Sequence, residues 1–204
     1  MQAFGLSLVP QQPSHDEGGR PAILLDRDGV INENRTDHVR SWNDFRFLPG
    51  SLTALRLLTA WGYRIFVVTN QAAVERGLLS LGTLQQIHAR MCETAAAHGA
   101  QISAVRWCPH RPETRCGCRK PQPGMLLDLA ATMQIDLVNT YIIGDALSDV
   151  IAGQAVGCRT ILVRTGRGEE QLSLPAFQTN RPDHIANDLL AAVQLMHLAR
   201  QNAG

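Results

Sequence analysis

Two aspartates separated by one residue, Asp26 and Asp28, stand in Asp26-Arg27-Asp28-Gly29 at the end of a short apolar run. A carboxylate in that place can attack phosphorus, splitting a hard hydrolysis into two easier steps through an aspartyl-phosphate. Its neighbour can protonate the leaving oxygen and then take a proton from the attacking water. Gly29 permits a sharp turn that brings backbone amides close to a phosphate. Taken alone, the four residues also suit an ordinary strand-ending turn. A second apolar run ends in Gly144-Asp145, with Asp149 soon after. Asp26 and Asp145 can clamp Mg²⁺, a hard cation that favours carboxylate oxygens, with a backbone carbonyl near Asp28. The ion would offset the repulsion between a carboxylate nucleophile and a phosphate dianion. Asp149 reads as a first-turn helix residue favoured by the helix dipole, or else as a partner behind the metal ligands.

Thr69 and Asn70 close a third apolar run, and Gln71 follows. A hydroxyl and backbone amides there can hydrogen-bond a transferred phosphoryl group, although taken alone the pair reads better as an ordinary helix-capping or turn pair. Lys120 is the only lysine among 19 basic residues. An ammonium is a compact point charge suited to phosphate, and its exceptional use in a chain that otherwise employs arginine marks position 120 as functional.

Cys108, His110, Cys116 and Cys118 form C-x-H-x5-C-x-C. Three thiolates and an imidazole match a closed tetrahedral Zn²⁺ site, which leaves no open position and is therefore structural. The loop 108–118 is polar and has no core of its own; zinc would hold it and place Arg119 and Lys120 just beyond. Disulfide pairing is the alternative, disfavoured in a chain without a secretion pattern. Cys92 and Cys158 stand apart and read as small buried hydrophobes.

These residues need a scaffold that brings strand ends together. Five apolar runs read as buried strands, over 21–26, 63–70, 104–107, 140–145 and 159–165, with a weak edge strand near His184. Helical patterns alternate with them. Ser51 and Ser80 are placed to cap two helices, and Leu84, Ile87, Met91 and Cys92 share one face of the second. Pro123 falls in the first turn of a helix reaching Gln134, and 149–156 and 187–200 supply two more. Alternating strand and helix predicts an α/β fold, a doubly wound, mostly parallel sheet. Ligands bind beyond the carboxyl ends of such strands, so the polar strand-end residues should converge.

Length and composition agree. The chain has 204 residues, 45% of them hydrophobic, enough for one domain with a sizeable core. The arm 1–20 reads as flexible and the domain as 21–204. A formal net charge of +1 gives no basic field for nucleic acid. No apolar run is long enough to span a bilayer and the start has no signal pattern, so a cytoplasmic monomer is expected.

The order D-x-D-G, strand-end T-N, lysine, G-D-x-x-x-D resembles the motif series of the haloacid-dehalogenase (HAD) superfamily of phosphatases. More closely, LDRDGVIN, LPG, VVTNQ, RGL, CPH, CxCRKPxPGM and LVRTG are similar to the heptose 1,7-bisphosphate 7-phosphatase family, over about residues 21–170. Histidinol-phosphate phosphatases are related, with a similar zinc loop. The resemblance implies Asp26 as nucleophile, Asp28 as proton donor, Asp26, Asp28 and Asp145 around Mg²⁺, and Thr69 and Lys120 on the phosphoryl group. It implies zinc on the Cys/His loop, no large cap domain, and a sugar phosphate as substrate. Asn34, Arg35, Thr36 and Asp37 would line the substrate side, with Asn70, Gln71 and Arg119. Ala146 departs from the family, which often has lysine there, and Ala72-Ala73 stands where Ser-Gly is frequent.

Two other readings compete. Histidinol phosphate would want a carboxylate for its ammonium, and Asp37 is placed for that; a second phosphate would want Arg35 and Arg119. A zinc-stabilised binding module without catalysis predicts damage to an essential residue, yet Asp26, Asp28, Lys120 and Asp145 are all present. A DNA-end phosphatase lacks the basic, aromatic strip it needs.

Overall fold

The computed structural model describes residues 5–8 and 21–201. Seven strands form one sheet: β1 (Gly5–Leu8), β2 (Ala22–Leu25), β3 (Arg64–Asn70), β4 (Ile102–Cys108), β5 (Tyr141–Gly144), β6 (Arg159–Val163) and β7 (His184–Ala186). Their order is β1-β4-β3-β2-β5-β6-β7, with β2 through β7 parallel and β1 antiparallel to β4. The helices are α1 (Ser51–Ala60), α2 (Leu81–Ala97), α3 (Gly124–Met133), α4 (Leu147–Gln154), α5 (Gly168–Leu172) and α6 (Leu189–Gln201).

Continuous apolar runs make this possible because each central strand is covered on both faces. Alternate residues feed two cores. Ile23, Leu25, Ile65 and Val67 pack with Leu55 and Leu58 of α1, Ile87 and Met91 of α2 and Val193 of α6. Leu24, Phe66, Val68 and Ile142 pack on the other face with Met125, Leu126 and Leu129 of α3 and Ala152 of α4. The chain therefore winds outward from β2 to β4 on one side, then returns to β5 and continues outward on the other. The reversal beside β2 is the crevice in which doubly wound sheets bind ligands.

Two local expectations change. The segment 1–20 is not uniformly a loose arm: Gly5–Leu8 pairs with Ala104–Trp107. This covers the edge of β4, whose N–H and C=O groups would otherwise lack partners; the rest of that segment lies outside the described residues. The cap of α1 is Gly50 rather than Ser51, because its φ of 78° is the left-handed turn glycine allows at no steric cost. Ser80 does cap α2, accepting the Thr83 N–H at 3.0 Å. The short strand at His184 is real, and 169–182, which the sequence pattern left unread, carries α5 and a 3₁₀ turn at Pro175–Gln178. No cap domain interrupts the described chain. Its longest excursion between β2 and α1 is pinned by bridges from Asn32 to Asp28 and Phe47 and by the packed rings of Trp42, Phe45 and Phe47.

Candidate active site

Asp26 follows β2, the strand at the middle of the sheet, and its N–H donates to the Ile143 carbonyl of β5 at 2.9 Å. The backbone is thus tied to both neighbours of the crevice. Its Oδ1 accepts the Arg27 N–H at 2.7 Å and lies 3.1 Å from Lys120 Nζ. Lys120 is buried; its ammonium also sits 2.5 Å from Asp149 Oδ1 and donates to the Val68 carbonyl. Three donors on one ammonium thereby meet three acceptors from β2, β3 and α4.

Asp149 is consequently more than a helix-end residue. It is 1% exposed, and its Oδ2 accepts the Ala146 N–H at 3.2 Å, so it caps α4 while pairing with Lys120. Asp145 ends β5 in the same place. Its Oδ2 accepts the Arg167 N–H at 2.9 Å, and the Arg167 guanidinium approaches Oδ1 at 3.3 Å. Oxygens of Asp26, Asp145 and Asp149 all lie within 4.8 Å of one another. Burial first, and then the charge of Asp26, pushes the Asp145 carboxyl up to about 7. Burial likewise raises Asp149 to about 6, against the pull of Lys120. Three buried carboxylates face one buried ammonium and one half-exposed guanidinium, a balance that calls for a further cation.

The carboxylate of Asp28 stands outside that group. Arg27 holds it through Nη2 at 2.9 and 2.8 Å, Asn32 donates at 2.8 Å and Gln71 at 2.9 Å. Burial opposes the charge, but the Arg27 guanidinium and these hydrogen bonds win, so the Asp28 pKa is lowered. Its carboxylate is thus engaged by Arg27, Asn32 and Gln71 rather than grouped with those of Asp26 and Asp145.

Several residues expected to face substrate are spent elsewhere. Gln71 is buried; its amide nitrogen donates to Asp28 and to Thr69 Oγ1 at 2.9 Å each, and its oxygen accepts from Arg27 at 3.2 Å. Asn70 makes a reciprocal pair with the backbone of Lys120, at 3.0 and 3.1 Å, and so fastens β3 to the segment that carries the lysine. Asn34, Arg35, Thr36 and Asp37 are exposed in the excursion after β2. There Arg35 pairs with Asp37 at 3.1 Å and Arg40 joins at 3.2 Å, so neither charge is free. His38, the next residue, senses the charges of Arg76 and Asp28, which sets this loop beside the site. Arg119 is half-buried; its guanidinium donates to the His110 carbonyl at 3.0 Å and feels Arg167 and Arg76. Those two arginines were not singled out in the sequence. The signal was available for Arg167, since it follows β6 just as the other site residues follow their strands.

Gly29 and Gly166 make the close packing possible. A Cβ on either would run into the Asp145 carboxylate, and both have positive φ, 87° and 61°. Thr165 Oγ1 donates to the Gly29 carbonyl at 2.7 Å, locking the two loops together.

Beside the crevice, Cys108, His110, Cys116 and Cys118 bring their ligand atoms within 4.8 Å of one another. The sulfur and Nδ1 atoms are 3.2 to 3.6 Å apart. Tetrahedral Zn–S bonds of about 2.3 Å set sulfurs about 3.8 Å apart, so the cluster needs little expansion to hold an ion. All five cysteines are unpaired thiols. Glu75 ties this loop to the 71–79 turn, accepting from the Thr114 hydroxyl at 2.8 Å and from the Arg111 N–H.

The comparisons with known proteins agree with this geometry. Residues 117–192 match the HAD-hydrolase-like family model. The D-glycero-beta-D-manno-heptose-1,7-bisphosphate 7-phosphatase of Bordetella bronchiseptica is 40% identical over 174 residues, covering 84% of this chain and 95% of that one. The D-glycero-alpha-D-manno-heptose-1,7-bisphosphate 7-phosphatase of Mycobacterium tuberculosis is 39% identical over 153 residues, covering 72% and 80%. The crystal structure of the B. bronchiseptica D,D-heptose 1,7-bisphosphate phosphatase, complexed with magnesium and phosphate, superposes with a TM-score of 0.81 at 36% identity, covering 88% of this chain and 99% of that one. With the sheet order, the strand-end carboxylates and this likeness over most of its length in agreement, the chain belongs to the heptose 1,7-bisphosphate 7-phosphatase family of the HAD-like hydrolases.

Proposed function

We propose that the chain is a Mg²⁺-dependent phosphatase that removes the 7-phosphate of D-glycero-D-manno-heptose 1,7-bisphosphate, in the supply of nucleotide-activated heptose. The observation that carries the chemistry is Asp26, held at the mouth of β2 by Lys120 and the Arg27 N–H and facing Asp145 and Asp149. A carboxylate oxygen of Asp26 attacks phosphorus and the bond from phosphorus to the sugar oxygen breaks; the leaving oxygen takes a proton from Asp28. Water, deprotonated by Asp28, then attacks the same phosphorus and frees phosphate and Asp26. The cradle of Arg27, Asn32 and Gln71 holds Asp28 as a carboxylate in the free site, the form the second step uses; for the first step it takes up a proton as the phosphate dianion binds beside it. Thr69 and Lys120 serve the phosphoryl oxygens, the lysine by giving up its contact with Asp26 Oδ1 as that oxygen bonds to phosphorus.

Asp26, Asp145 and the backbone carbonyl of Asp28 would hold Mg²⁺, with Asp149 oriented behind them; bound there, the ion would neutralise charge between nucleophile and phosphate. Cys108, His110, Cys116 and Cys118 would hold a structural Zn²⁺. Its loop ends in Arg119 and Lys120, so the metal would fix the segment that supplies both cations. We read 21–204 as one domain. All the groups of the site come from one chain, so a monomer suffices, and a reducing compartment such as the cytoplasm would keep the thiols metal-competent. Among the described residues, no helix is long and apolar enough to cross a membrane.

Charge at the mouth favours the bisphosphate. Arg119 senses the charges of Arg167 and Arg76, and the three offer cations to a second phosphate. Asp37, the carboxylate for a histidinol ammonium, is taken by Arg35 and Arg40. The test is phosphate release with Mg²⁺ from both heptose 1,7-bisphosphate anomers and from histidinol phosphate, with Asp26→Asn as control. Preference for one heptose anomer and a silent variant are expected. Preference for histidinol phosphate would overturn the substrate, and normal turnover by Asp26→Asn would overturn the nucleophile.

A further inference from the structure

α2 turns one face to the core, and among its buried residues stands His88, 0% exposed, between Ile87 and Met91. Its Nε2 lies 3.1 Å from Nη1 of Arg27. A guanidinium can only donate, so Nε2 must accept, and the ring must be neutral with its proton on Nδ1. Burial, then the Arg27 charge, push the His88 pKa well below its usual value, in the same sense. Nδ1 itself is buried without a hydrogen-bond partner among the described residues. A helix that needed only packing there would do better with leucine, since an unpartnered buried N–H is unfavourable. The ring is therefore kept for what Nε2 does.

Arg27 is also 0% exposed, and its side chain has three clients. Nε and Nη2 reach Asp28 at 3.3, 2.9 and 2.8 Å, Nη2 reaches Gln71 at 3.2 Å, and Nη1 reaches His88. Asp28 and Gln71 lie at the strand ends beside the site, whereas His88 approaches from the helix layer. It sets the roll of the guanidinium plane and so the direction from which Asp28 is gripped.

We propose that His88 is a positioning residue for catalysis: a neutral imidazole, outside contact with substrate, that orients Arg27 and through it the Asp28 carboxylate. The idea rests on Asp28 acting as acid and base in the reading above. It predicts that His88→Leu lowers kcat roughly 10–100-fold, the usual scale for groups that orient a reacting residue, while KM stays within about twofold. His88→Gln can place Oε1 where Nε2 now lies and should recover most of the loss. A merely structural histidine would give the opposite ordering, with leucine tolerated as well as glutamine or better.

The kinetics are paired with a measurement that needs no turnover. Long-range ¹H–¹⁵N correlation on the wild-type protein should show His88 as the Nδ1–H tautomer with Nε2 unprotonated. An Nε2–H tautomer or an imidazolium would overturn the proposal even if His88→Leu failed to fold. Equal kcat for folded His88→Leu and wild type would overturn it too. If Asp26→Asn stays active while the tautomer is as expected, the proposed chemistry fails and the His88–Arg27 contact stands.

Discussion

Replacing Lys120 with methionine keeps the length of the side chain and deletes its charge. Lys120 Nζ sits 3.1 Å from Asp26 Oδ1 and 2.5 Å from Asp149 Oδ1, with the side chains of Lys120 and Asp149 each 1% exposed. Removing one partner of a buried pair strands the other, at about 3–5 kcal/mol. The stranded carboxylate has an escape, however, because it can bind a proton. From an ordinary value of 3.8, protonation at pH 8 costs about 6 kcal/mol, so it gives no relief. At pH 5 it costs about 1.6 kcal/mol, and that becomes the ceiling on the damage. At about 2–4 °C per kcal/mol for a chain of this size, the variant should melt about 6–20 °C below wild type at pH 8 and no more than about 3–6 °C below at pH 5, where Asp149, pushed up to about 6, is largely protonated before the substitution. Thermal unfolding in chelator at the two pH values measures this. Adding Asp149→Asn to Lys120→Met should recover stability at pH 8, since it removes the stranded charge. An equal loss at both pH values, or a double variant less stable than Lys120→Met alone, would refute the reasoning.

Without Mg²⁺, Asp145 and Asp149 carry pKa values of about 7 and about 6, raised above 3.8, so the folded state prefers them protonated and their contribution to stability falls as pH rises from about 4 to about 7. The gain in melting temperature on adding Mg²⁺ should therefore be larger at pH 8 than at pH 5; equal gains would contradict the shared site. Gly166→Ala would drive a methyl into the Asp145 carboxylate, and should weaken Mg²⁺ activation at least about tenfold, read from the metal dependence of kcat/KM. Cys116→Ser should cut zinc content below one ion per chain by elemental analysis. Phosphatase activity should fall with it, because the loop it anchors ends at Arg119 and Lys120; full activity without zinc would break that link.

Much of the site was legible because its signals are local. The D-x-D-G turn, the strand-end T-N and G-D pairs and the C-x-H-x5-C-x-C spacing each sit within a few residues, and apolar runs that must be buried on both faces located the strands. Where a reading changed, the deciding partner lay far along the chain. Spacing makes Asp149 an N-terminal helix residue, which it is; only the arrival of Lys120 behind β3 turns it into a buried member of the site. Asn70 and Gln71 had the side chains to meet a substrate, yet Lys120 and Asp28 consume them.

Sequence alone thus determined the chemistry on offer: the carboxylates, the single lysine, the thiolate cluster and the alternation that makes a doubly wound sheet. Tertiary structure decided the pairing. Arg35 and Asp37 could each have served a different substrate until folding joined them, and His88 was one more position on an apolar helix face until Arg27 came within 3.1 Å. The reason is physical. Hydrophobic periodicity and turn chemistry act over a few residues and are written in local order. The partner of a buried polar group is chosen by the need to satisfy its hydrogen bonds wherever the packed sheet and helices place it.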